Sequence, residues 1–164
     1  MVAHPDGTSA VELTSTPHIA GWEYRDARWS PDGDRLVYTR TDGADHVIAT
    51  VDLLGHESVL VGPAQVGAPA WSPDGDSIVY QDDDRGVVLI TSDGTDERVL
   101  SDRQDGCGLF FSPDGRTVIG SDCHTLELIP VDGPSRATIV GIPPVPGSDD
   151  PSMIGSPSWQ RLAP

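Results

Sequence analysis

Along most of the chain apolar and polar residues alternate with a period of two in short runs, and turn-forming residues close each run. Arg35-Leu36-Val37-Tyr38, Ser77-Ile78-Val79-Tyr80 and Thr117-Val118-Ile119-Gly120 are of this kind. Runs that alternate and favour β-branched residues predict strands, and no useful length of chain carries helical spacing. Between residues 68 and 100 the pattern predicts four strands, at about 68–71, 77–81, 87–91 and 98–100.

The runs recur. ARWSPDGDRLVY at 27–38, APAWSPDGDSIVY at 68–80 and GLFFSPDGRTVIG at 108–120 place aromatics at Trp29, Trp71 and Phe111. A second marker keeps step: PDGTSAVELT at 5–14, LLGHESVLV at 53–61, SDGTDERVL at 92–100 and VDGPSRATIV at 131–140, with Gly7, Gly55, Gly94 and Gly133. In the connection Ser72-Pro73-Asp74-Gly75, Pro presets φ at the first central turn position, Asp bonds nearby backbone and Gly accepts positive φ. These residues are therefore architecture.

A four-strand unit repeated about every 40 residues is the pattern of a β-propeller, whose blades, with strands a to d, bury their faces on one another. WSPDG, followed by an apolar strand and a later DG turn, resembles the TolB-like β-propeller repeat family, relatives of the WD-repeat propellers. The resemblance covers about residues 1–162. It implies protein–protein interaction, and the best-known members are periplasmic parts of envelope complexes.

The expected fold is thus all-β: one propeller over 1–164, with complete units at about 22–60, 68–100 and 107–140. Residues 2–14 align with strands c and d, and residues 156–162 with strand a. Together they would form a fourth, hybrid blade. Three assemblies follow: a small four-bladed ring, two chains exchanging terminal strands, or part of a longer propeller. An open sheet edge invites pairing, which favours a homo-oligomer.

Charge narrows the partners. Asp+Glu number 26 against 10 Lys+Arg, every one an Arg, for a net charge of −16. With no lysine there is no Walker-type phosphate lysine and no Schiff base. An acidic surface repels phosphate backbones and anionic headgroups, so nucleic-acid binding and membrane insertion are not expected, whereas cations and basic partners suit the field. The first residues contain no apolar signal region, so the chain as written is expected in the cytoplasm, and in the periplasm or outside the cell if a leader has been removed.

In a propeller the d–a and b–c loops share one face around the channel mouth, and the SPDG turns lie on the other. Function is expected in the variable loops. The candidates for ligand or partner contact are His18, Trp22, Glu23, Tyr24, Arg25 and Asp26 in the first long connection. Asp45, His46, Asp83, Asp84, Arg85 and His124 join them from b–c loops. His46 and His124 occupy comparable junctions and form a candidate acid/base pair. A Pro-rich stretch, GIPPVPGSDDPSM, suits docking or a lid.

Asp82, Asp84 and Asp105 are the candidate metal ligands, with Ca²⁺ the ion that clustered carboxylate oxygens suit. EF-hand spacing is absent, the histidines lack zinc spacing, and no other cofactor is indicated. Cys107 and Cys123 flank the turn at 112–115, where hairpin pairing brings them nearly opposite. They would be a disulfide in an oxidising compartment and two thiols in a reducing one. No G-x-S-x-G nucleophile elbow occurs.

The reading is a non-catalytic propeller that binds a protein partner or small cationic ligand through its acidic loop face. The alternatives are a propeller lyase or hydrolase with its site at the channel mouth, Ca²⁺-assisted, and a self-assembling structural fragment.

Overall fold

The computed structural model describes residue 13 and residues 22–42, 45–103, 108–121, 125–132 and 138–141. Among these there is no helix. Twelve strands form three four-stranded sheets, each an antiparallel meander in chain order. The first contains β1 (Trp22–Trp29), β2 (Arg35–Asp42), β3 (His46–Asp52) and β4 (Glu57–Ala64). The second contains β5 (Val66–Trp71), β6 (Ser77–Asp82), β7 (Gly86–Thr91) and β8 (Glu97–Ser101). The third contains β9 (Gly108–Phe111), β10 (Thr117–Ser121), β11 (Thr125–Pro130) and β12 (Thr138–Gly141).

The same turn chemistry closes the first hairpin of every sheet. In the second, the Gly75 N–H donates to Ser72 O at 3.0 Å and the Ser72 N–H to Ser77 O at 2.9 Å. Ser72 Oγ donates to Asp74 at 2.5 Å and accepts the Ser77 N–H at 3.0 Å. Ser30 and Ser112 repeat these bonds with Asp32 and Asp114. The turn glycines Gly33, Gly75 and Gly115 all have positive φ, which a side chain would disfavour.

Alternation then builds the core. Odd and even positions of a strand face opposite sides of the sheet, so the middle sheet needs apolar residues at both parities. Ile78, Tyr80, Val88 and Ile90 pack against Val37 and Ile48 of the first sheet. Val79, Val87 and Leu89 pack the other way, against Leu109, Val118 and Ile129 of the third. Each such aliphatic side chain is worth about 1.5–3 kcal/mol on burial. The outer face of the first sheet carries Tyr38, Ala49 and Val51, covered by Leu13.

Two segments read as loops are strand instead. The d–a connection expected at 61–67 shrinks to Gln65, because β4 runs on to Ala64 and β5 begins at Val66. Irregular pairing of His46 with Ala64 lets β4 extend. Likewise residues 22–26, expected in a long loop, belong to β1 and pair with the end of β2, Glu23 opposite Thr41. Backbone pairing outweighs the loop-like composition of both stretches.

Candidate functional site

The two inner strands that meet at the junction of the first and second sheets share an irregularity. Between Arg25 and Arg28, and again between Gly67 and Ala70, two residues oppose one on the neighbouring strand. These β-bulges place Asp26 at φ 55° and Ala68 at φ 51°. Left-handed backbone at a residue other than glycine costs roughly 1–3 kcal/mol and gathers where function needs it.

Both bulges open onto a cleft of 280 Å³, lined from the first sheet by Arg25, Asp26, Thr39 and His46, and from the second by Val66–Ala68, Gln81 and Asp83, with Gln65 between them. His46 Nδ1 lies 3.1 Å from the Val66 carbonyl, which can only accept, so Nδ1 carries a proton, and in the neutral ring Nε2 is an acceptor. Gln81 Nε2 donates to the carbonyls of Asp82 and Arg103, at 3.4 and 3.1 Å, which leaves its Oε1 as an acceptor. Thr39 is 2% exposed, and its Oγ1 has no hydrogen-bond partner. Arg25 is the cation on the rim, and it is paired with Glu23. The cleft therefore offers acceptors far more than donors.

The other candidates divide. Tyr24 packs its ring 5.6 Å from Tyr38, beside a separate apolar cleft of 170 Å³. Asp45 is exposed just ahead of β3, and Trp22 is the first residue of β1. Asp84 sits in the turn after β6, its N–H donating to Asp82 at 3.0 Å. His18, His124, Asp105, Cys107 and Cys123 lie outside the described residues.

Asp82 and Arg85, read as metal ligand and ligand contact, are engaged with each other. Asp82 accepts from the Arg85 N–H at 2.9 Å and from Arg85 Nε at 2.8 Å. Arg85 also bonds Glu97 and the Tyr80 hydroxyl. Partial burial works against the charge on Asp82, but the bonds from Arg85 win and hold its carboxyl below the usual range. Glu97 and Asp82 in turn push Arg85 up. The network ties β6 to β8, so it rigidifies one wall of the cleft. Among the described residues no three His, Cys, Asp or Glu side chains converge to hold a metal ion.

Thr39, Gln65, Gln81 and Ala68 were not candidates from sequence. The available signal was a polar residue ten places after the aromatic in every repeat: Thr39, Gln81 and Ser121, all buried.

No family model matches the chain, and no curated protein matches it in sequence. Solved structures do. An oligogalacturonate lyase in complex with manganese superposes with a TM-score of 0.60 at 20% identity, covering 77% of this chain and 39% of the lyase. TolB from Acinetobacter baumannii gives 0.59 at 18% identity, covering 77% of this chain and 33% of TolB. The fold is a β-propeller. A putative TolB from Agrobacterium tumefaciens agrees, with a TM-score of 0.56 at 21% identity, covering 79% of this chain and 50% of its own. The propeller chain thus spans half or less of the length of these structures. Its sheets are blades, β1, β5 and β9 their first strands, and the cleft lies between the first two blades.

Proposed function

We propose that this propeller is a non-catalytic binding module that captures a cationic group of a partner in the cleft between its first two blades. One observation carries the reading. Asp26 and Asp83 line a cleft in which Gln81 Oε1 and the Thr39 hydroxyl are left to accept, and whose one lining arginine, Arg25, is already paired with Glu23. An acceptor-rich site repels anions and satisfies a ligand dense in N–H donors. The chain's net charge of −16 steers such a ligand inward.

Calorimetric titration with spermidine and with citrate tests it. Spermidine binds, more weakly as salt rises, and citrate does not. Equal binding of both, or none of spermidine, would sink the reading.

A second reading is an enzyme at the same cleft, favoured by the strained Asp26 lining it together with His46. The likeness to a lyase suggests uronate oligosaccharides as the first substrates to try. Turnover lost in Asp26→Asn would support catalysis, and its absence leaves binding as the activity.

A further inference from the structure

We infer that the cleft between the first two blades is shaped for a guanidinium, so that the partner's anchor is an arginine side chain. The inference rests on the cationic reading above and narrows it.

Size is the first argument. At 280 Å³ the cleft falls just short of the roughly 300–1,000 Å³ of pockets that enclose whole small molecules. It suits one inserted side chain, with the rest of the partner outside.

The spread of acceptors is the second. Asp26, Thr39 and His46 stand on the first blade, Gln81 and Asp83 on the second. A metal ion needs its ligands gathered at one point, and no three such side chains converge among the described residues. An ammonium directs three donors from one atom. A guanidinium spreads five N–H groups over a planar fork and so reaches both walls at once. It is also more weakly hydrated than an ammonium, which lowers the cost of leaving water.

The third argument is the Thr39 hydroxyl, buried and without a partner. Valine would fill the same volume with no polar atom to satisfy, so the hydroxyl is a polar atom at the cleft that the chain's own groups leave unsatisfied.

The test is an NMR titration of the full chain with N-acetyl-arginine amide, N-acetyl-lysine amide and spermidine. The arginine probe is expected to bind at least tenfold more tightly than the lysine probe and to shift amides at 25–26, 46, 65–68 and 81–83. Asp26→Asn and Asp83→Asn should each weaken it about tenfold; asparagine tolerates the left-handed backbone at 26, so the first change removes charge without removing the bulge. Thr39→Val should weaken it severalfold while raising the melting temperature of the unliganded chain. Equal or tighter binding of lysine or spermidine overturns the guanidinium and leaves the cationic reading standing. No binding of any cation overturns both. Arginine binding that ignores Asp26→Asn and Asp83→Asn moves the site elsewhere and overturns the inference.

Discussion

Ser72 shows how much one side chain does in this repeat. Its buried Oγ donates to Asp74 and accepts the Ser77 N–H, so Ser72→Ala strands a backbone donor at the first turn of the blade. The expected loss is about 1–3 kcal/mol in urea denaturation, and the same change at Ser30 or Ser112 should cost a similar amount. Serine bonds also set the acid limit. Ser30, Ser72 and Ser112 hold Asp32, Asp74 and Asp114 below the usual carboxylate range, and Thr91 and Thr95 hold Asp93 at about 2. A lowered folded pKa contributes stability above the unfolded value of 3.8, lost as pH falls through the folded one. Circular dichroism should therefore show unfolding between about pH 4 and pH 2. Burial pushes the Tyr38 and Tyr80 hydroxyls up, so their contribution holds below about pH 10 and fails above it. The SPDG turn was legible because its hydrogen-bond partners lie within five residues. Thr39 and Gln81 were not, because the cleft they line is completed by the neighbouring blade.

At the scale of elements, the blades are alike until a residue breaks the pattern. Gly86 opens β7 at φ 91°, and an added Cβ would lie 2.3 Å from the Ser101 carbonyl oxygen of β8. That neighbour is backbone and cannot rotate away, so Gly86→Ala should cost more than about 3 kcal/mol. The third blade departs in its core. Where β6 pairs Tyr80 with Val88, β10 pairs Gly120 with Glu127. Glu127 is buried, accepts from Ser101 Oγ at 2.8 Å through Oε1, and its Oε2 has no partner. A buried charge half satisfied is costly. Glu127→Gln keeps the Ser101 bond and removes the charge, so it should raise the melting temperature by a few degrees in a thermal scan. Periodicity foretold the strands themselves, since β6 and β7 lie within a residue of the expected 77–81 and 87–91. It missed β4 beyond residue 60 and the start of β1, where cross-strand pairing, invisible in a linear pattern, decides the ends.

Over the whole molecule, the blades are unequally covered. Trp71 is 8% exposed, with the Arg35 guanidinium of the preceding blade 5.0 Å above its ring. Trp29 holds the same place in the first blade and is 46% exposed. The adjoining face carries Tyr24, Leu36, Tyr38 and Val51 around the 170 Å³ cleft. Leu13 of this chain covers part of that face, where another blade would pack, and we propose that a second copy supplies the rest. Light scattering should then give twice the 17.4 kDa of the chain. Trp159→Ala, in the segment aligned with a first blade strand, should lower that mass; a monomer with an unaltered variant would remove the second copy from the account.

What the sequence alone determined was local and repetitive: strand period, turn chemistry, the blade as a unit and the acidic field. Each depends on neighbours a few residues apart, or on summed charge, and so survives without coordinates. Only the tertiary structure decided which acidic residues stay available. It tied Asp82 to Arg85, put Asp26 and Asp83 in the lining of one cleft, and brought buried Thr39 and Gln81 to it. These placements follow from two bulged strands, about 42 residues apart in the chain, meeting where blades pack. Packing across that distance obeys sheet geometry, and no period of two encodes it.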